Sequence, residues 1–140
     1  MKDLNKLFTD LNNIVGNSNV ITTKWLKEPF LKGWRYGEGN ALAVVKPGSL
    51  VEIWKVLKVC VKNDLIIVMQ AANTGLTGGS TPNGNDYDRD VLVINTTRIK
   101  DIHIINNGSQ IIGLAGSTLY DLENKLEDVY DHGYGDWMKQ

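Results

Sequence analysis

Residues 70–84 read Gln70-Ala71-Ala72-Asn73-Thr74-Gly75-Leu76-Thr77-Gly78-Gly79-Ser80-Thr81-Pro82-Asn83-Gly84, the densest run of potential ligand-binding groups in the chain. Gly75, Gly78, Gly79 and Gly84 can take positive φ and let a backbone approach a ligand closely. Asn73, Thr74, Thr77, Ser80 and Thr81 add neutral side-chain donors. Successive N–H groups in such a loop can converge on one anion, as in phosphate-binding nests. A P-loop needs Gly-Lys-Ser/Thr, and this loop has no lysine; it also lacks GxGxxG. The chemistry that remains is a phosphate-bearing ligand held by neutral donors. A plain surface loop with flexible glycines is the alternative.

Other reactive residue types are sparse. Cys60 is the only cysteine, which excludes an intrachain disulfide framework and any multi-cysteine metal site, so no metal is expected. Its place on an apolar helix face predicts a buried, inert thiol. His103 and His132 are the only histidines. His103 reads as a surface residue and His132 lies in an aperiodic tail, so no catalytic residue is assigned. Asn85, Asp86, Asp88, Arg89 and Asp90 read as loop-fixing residues, with Asp–Arg pairs satisfying one another. Trp25, Trp34 and Trp54 are expected to pack, with Trp34-Arg35-Tyr36 in a loop packed on the strand–helix–strand unit of residues 41–69.

The elements around the loop follow from periodicity. Leu4, Leu7, Leu11, Ile14 and Val15 recur at helical spacing, and Asn12, Asn13, Gly16 and Asn17 make the stop. Residues 23–40 are broken by Pro29, Gly33, Gly37 and Gly39 and predict no regular element. Residues 41–45 form a short apolar strand. Ser49 and Glu52 make a capping box for a helix whose apolar stripe is Leu50, Ile53, Trp54, Leu57 and Val61. Residues 65–69, continuous and β-branched, predict a strand buried on both faces. Strand, helix and strand make a βαβ unit with parallel strands. Another strand follows at 91–94, then a hairpin around Asn106-Asn107-Gly108. Ser117 is the expected cap of a last helix carrying Leu119, Leu122 and Leu126.

Composition is ordinary: 140 residues, 42% hydrophobic, net charge −1. No basic field recruits nucleic acid or an anionic membrane. No apolar run reaches the roughly 18 residues of a membrane span, and residues 1–6 lack the apolar core of a signal peptide. A cytoplasmic location is expected, with any membrane contact peripheral.

The order of elements and the 70–90 block resemble the FAD-binding domain of the vanillyl-alcohol-oxidase, or PCMH, type of flavoenzyme. Three stretches carry the likeness: Ala41-Leu42-Ala43-Val44-Val45 with Pro47-Gly48-Ser49-Leu50, residues 69–90, and Leu114-Ala115-Gly116-Ser117-Thr118-Leu119. The pattern is most similar to the respiratory quinone-dependent D-lactate dehydrogenases, from about residue 5 to about residue 126.

The resemblance implies an α+β (α/β-like) fold, the N-terminal lobe of a PCMH-type FAD-binding domain: a βαβ unit plus a further mixed sheet with flanking helices. It divides the chain into a lead-in (1–40), the first lobe (41–129) and an atypical tail (130–140). It implies FAD as cofactor, contacted by Ala71, Ala72, Asn73, Thr74, Gly75, Gly79 and Ser80. Family members oxidise D-lactate or a similar 2-hydroxy acid, pass electrons to quinone and associate peripherally with the cytoplasmic face of the inner membrane. At position 78 relatives are expected to carry a charge; Gly78, read as exposed, should matter little. Relatives continue with a second FAD-contacting segment and a substrate domain holding the catalytic histidine, so this chain is expected to be a truncated portion. An inactive remnant, or a non-catalytic nucleotide-binding module, is the alternative reading.

Overall fold

The computed structural model describes residues 3–129. The chain divides into two compact units, one ending at Arg98 and the other beginning at Ile99. Trp137, His132 and the rest of the 130–140 tail lie outside the described residues.

The first unit opens with helix α1 (Leu4–Val15), capped by the Asp3 carboxylate and stopped at Gly16, whose φ of 84° suits glycine. A short strand β1 (Val20–Ile21) and helix α2 (Lys24–Leu31) follow. Periodicity did not predict α2, because Pro29 sits inside it. Proline lacks the N–H that would bond the Trp25 carbonyl, and the helix ends two residues later. Tertiary bonds compensate. The Lys27 ammonium donates to the carbonyls of Ala41 (2.6 Å) and Leu42 (3.2 Å), and Leu31 is buried. Partial burial holds the Lys27 pKa below its ordinary value.

Strand β2 (Ala43–Val45), helix α3 (Leu50–Lys62), strand β3 (Ile66–Gln70) and strand β4 (Val91–Asn95) complete the unit. The sheet order is β1-β2-β4-β3. β2 and β3 are parallel, as a βαβ unit requires, but β4 lies between them and pairs with both. β4 is therefore buried at every position, as is β2. β3 lies at the sheet edge, half-buried with Met69 exposed, rather than covered on both faces.

The predicted capping box of α3 forms with one shift. The Ser49 hydroxyl accepts from the Glu52 N–H at 3.2 Å, while the Glu52 carboxylate reaches back past Ser49 to the Gly48 N–H at 2.6 Å. The face that α3 buries is Val56 and Cys60, clustered with Leu7, Leu11 and Val15 of α1 and with Ala43, Val45, Leu92 and Ile94 of the sheet. Leu50, Trp54 and Val61, expected in the stripe, are exposed. A second cluster joins Leu31, Ala41, Val44, Val91 and Val93 on the opposite sheet face.

Cys60 is fully buried, and burial pushes its thiol up to about 11. The thiolate is the nucleophile, so a thiol reagent at mildly alkaline pH should modify Cys60 only as fast as the chain opens. Urea should abolish that protection. Because the folded pKa is raised, this group's contribution is full below the ordinary thiol range and declines as pH climbs toward about 11. Fast labelling of native protein would contradict the buried placement.

The second unit pairs strand β5 (Ile102–Ile105) with β6 (Gln110–Gly113) antiparallel, as the Asn106-Asn107-Gly108 signal predicts. All three turn residues have positive φ. Helix α4 (Leu119–Val129) is capped by Thr118, not Ser117: the Thr118 hydroxyl accepts from the Asp121 N–H, and the Asp121 carboxylate accepts from Thr118. These bonds hold the Asp121 pKa below its ordinary value. Ser117 instead exchanges hydrogen bonds with the Asp101 backbone.

Candidate functional site

β2, β4 and β3 run the same way, so their carboxyl ends open on one edge of the sheet, where open parallel sheets bind ligands. The 71–80 loop leaves from that edge. A buried polar network holds its start. The Gln70 amide nitrogen donates to the carbonyls of Phe30 (2.9 Å) and Ser80 (2.8 Å), and its oxygen accepts from the Asn95 amide (3.0 Å). Asn95 also donates to the Ala71 carbonyl at 3.0 Å. Thr96 donates its N–H and its hydroxyl to the Gln70 carbonyl. Gln70, Asn95 and Thr96 are buried. They were not among the expected site residues, although a polar residue ending each apolar strand was visible in the sequence.

The loop is then laid against residues 33–40. The Gly33 N–H donates to the Gly37 carbonyl at 2.7 Å, Gly84 N–H to Glu38 at 2.8 Å and Asn40 N–H to Gly84 at 3.3 Å. Gly39 and Gly84 form a parallel bridge. A Cβ on Gly37 would lie 2.2 Å from the Thr81 hydroxyl, and one on Gly39 would lie 2.5 Å from the Gly84 carbonyl oxygen. The glycines thus divide into two groups. Gly78 and Gly84 have positive φ, and a Cβ on Gly78 would lie 3.1 Å from the Tyr36 carbonyl oxygen. Gly78 is therefore a packed position, not the exposed one expected. Gly75 and Gly79 do not have positive φ and have open space where a Cβ would stand.

Asn73 has φ 57° and ties the loop down. Its amide nitrogen donates to the Lys32 carbonyl at 2.8 Å, and its oxygen accepts from the Ser80 hydroxyl at 2.7 Å. Both side chains are thereby spent on each other and on Lys32, the residue that follows α2. What remains for a ligand is backbone. Among the described residues, no N–H from 71 to 80 donates to a protein acceptor. A groove of about 480 Å³ adjoins the loop, lined by Trp25, Glu28, Pro29, Lys32, Gly33, Trp34, Ala72 and Asn73.

The other candidates lie elsewhere. Arg89 pairs with Asp64 (2.9 Å), from the turn after α3, and with Asp88 (3.2 Å), which raise its pKa; this is one arginine between two carboxylates rather than two separate pairs. It borders a groove of about 570 Å³ at the opposite, amino-terminal edge of the strands. His103 is exposed, 3.2 Å from Asp101. Trp25, Trp34 and Trp54 are all exposed, contrary to the expected packing, because the core is filled by aliphatic side chains. Among the described residues no group of three or more His, Cys, Asp or Glu could hold a metal, and no helix is long and apolar enough to cross a membrane.

The FAD binding domain family matches residues 41–132. This chain belongs to that family. The FAD-binding domain is similar to the quinone-dependent D-lactate dehydrogenase of Haemophilus influenzae, 57% identical over 122 residues, or 87% of this chain and 22% of the relative. The enzyme of the same name from Escherichia coli is 54% identical over 126 residues, 89% of this chain and 22% of the relative. That of Corynebacterium glutamicum is 50% identical over 113 residues, 81% and 20%. The chain thus spans about a fifth of the length of these curated relatives.

Two solved structures share its fold. An alkyldihydroxyacetonephosphate synthase aligns with TM-score 0.78 at 14% identity, over 91% of this chain and 25% of that one. A substrate-bound p-cresol methylhydroxylase aligns with TM-score 0.72 at 16% identity, over 89% and 24%. The fold is accordingly the PCMH-type FAD-binding fold, and the domain is α+β.

The residues of this FAD-binding domain fit the family's cofactor. A diphosphate requires donors without competing acceptors, and the unpaired N–H run supplies them. Gly75 and Gly79 leave the space a close ligand needs.

Proposed function

We propose that the chain is the first lobe of the FAD-binding domain of a quinone-dependent D-lactate dehydrogenase. Residues 41–129 form the lobe and residues 1–40 lead into it. The observation that carries this reading is the N–H run of residues 71–80, free of protein acceptors and anchored by Gln70 and Asn73. The cofactor contacts are Ala71, Ala72, Asn73, Thr74, Gly75, Gly79 and Ser80. Asn73 and Ser80 contribute through their backbone, since their side chains fix the loop. Bound FAD supplies the acceptor for the electron pair of a 2-hydroxy acid. The work of these residues is to hold and orient the diphosphate. In the whole protein D-lactate or a similar acid is the substrate, quinone takes the electrons, and membrane association is peripheral. The identity to the three dehydrogenases supports this assignment.

Titration of the chain with FAD, followed by flavin fluorescence, is the test. Saturable binding that competes with ADP is expected. No binding at millimolar FAD by a chain that unfolds cooperatively would overturn the reading.

A further inference from the structure

The binding loop has a chemical deficit. A diphosphate is dianionic near neutral pH, yet residues 70–84 contain no lysine, arginine or histidine. Neutral donors alone leave that charge poorly compensated once water is displaced. The structure brings a cation to the loop from elsewhere in the chain. The Lys32 carbonyl accepts from the Asn73 side chain at 2.8 Å, which fixes the Lys32 backbone against the loop, and Lys32 lines the groove together with Ala72 and Asn73. Its ammonium lies 3.8 Å from Glu38, and both side chains are largely exposed. Such a pair holds weakly, so the ammonium can be recruited by a stronger anion.

The same groove carries two indoles. Trp25 is 70% and Trp34 79% exposed. Large aromatic faces left in water next to a polar loop favour a planar partner. Both sit on held backbone. Trp25 is on α2, which Lys27 ties to residues 41 and 42 and Gln70 ties at Phe30. Trp34 follows Gly33, whose N–H closes the turn onto Gly37. Glu28 also lines this groove and disfavours a phosphate on its side. The anion is thereby directed toward Lys32, Ala72 and Asn73.

We propose that α2 and the turn after it complete the FAD seat, with Lys32 neutralising the diphosphate and Trp25 and Trp34 offering indole faces to one ring system of the cofactor. This rests on the proposed FAD binding by the 71–80 loop. The required ligand is a planar aromatic ring joined to a diphosphate; the ring is either adenine or isoalloxazine.

The test measures binding of FAD, ADP and FMN to the 140-residue chain, wild type against Lys32→Gln, Trp25→Leu, Trp34→Leu and two controls. Glu38→Gln removes the ion pair but keeps the cation, and Trp54→Leu removes an exposed indole on α3. Lys32→Gln should weaken FAD and ADP about tenfold and flatten the salt dependence. Each of Trp25→Leu and Trp34→Leu should weaken FAD by roughly the same factor. Loss carried over to ADP assigns the indoles to adenine; loss carried over to FMN assigns them to isoalloxazine. Trp54→Leu should bind as wild type and Glu38→Gln at least as tightly, and thermal midpoints should be unchanged because all these side chains are exposed. If wild type binds FAD and Lys32→Gln, Trp25→Leu and Trp34→Leu bind it equally well, the inference is wrong while the FAD reading stands. If wild type does not bind FAD, both fall.

Discussion

Replacing Gln70 with leucine should destabilise the chain by about 3 kcal/mol or more and weaken FAD binding with it. The side chain is buried and makes three hydrogen bonds, two to backbone carbonyls on different segments and one from Asn95. Leucine has nearly the same bulk but no polar atoms. It would strand the Phe30 and Ser80 carbonyls and the Asn95 amide, each costing about 1–3 kcal/mol where water cannot reach. The effect on binding follows from position, since these bonds hold α2 and the far end of the 71–80 loop to the same strand terminus. Urea unfolding gives the stability and flavin fluorescence gives the affinity. A Gln70→Leu chain that unfolds at the wild-type midpoint would refute the network as an anchor.

Gly39→Ala and Gly79→Ala should behave in opposite ways. A methyl on Gly39 would stand 2.5 Å from the Gly84 oxygen and 2.9 Å from the Pro82 carbonyl carbon, both backbone atoms. The two loops must part, straining the Gly84-to-Glu38 and Asn40-to-Gly84 bonds. A cost of about 2–3 kcal/mol is expected, typical of overpacking. A methyl on Gly79 meets nothing nearer than the Thr77 hydroxyl at 4.0 Å. Stability should hold within about 0.5 kcal/mol, while FAD affinity should drop if, as proposed, Gly79 contacts the cofactor, because the methyl would then occupy the ligand's space. Gly75→Ala, with its nearest neighbour Ser80 at 3.9 Å, should follow Gly79→Ala. Thermal denaturation beside FAD titration separates the two classes. Equal loss of stability at positions 39 and 79 would show that both glycines serve packing.

Local signals were legible where one residue acts on its own neighbourhood. Ser49 and Glu52 announced the start of α3, Gly16 the end of α1, and Asn106-Asn107-Gly108 the hairpin, because caps and turns depend on a few adjacent dihedrals. The helical period of α3 was legible too, but not which face it buries. Leu50, Trp54 and Val61 satisfy the period as well as Val56 and Cys60 do, and only packing against α1 chooses between them. α2 was hidden because Pro29 disfavours it locally and distant bonds from Lys27 and Gln70 maintain it.

The binding loop shows the same division. Its composition alone determined that residues 70–84 are a strand-terminal, glycine-rich segment with neutral donors and no lysine. Tertiary structure decided how those groups are used. Gly78 and Gly84 serve loop–loop contact, Gly75 and Gly79 remain open, and the Asn73 and Ser80 side chains bond each other. It also brought Lys32 and two indoles beside the loop from some forty residues earlier in the chain. Such a placement depends on strand order and long-range hydrogen bonds, which no local pattern encodes.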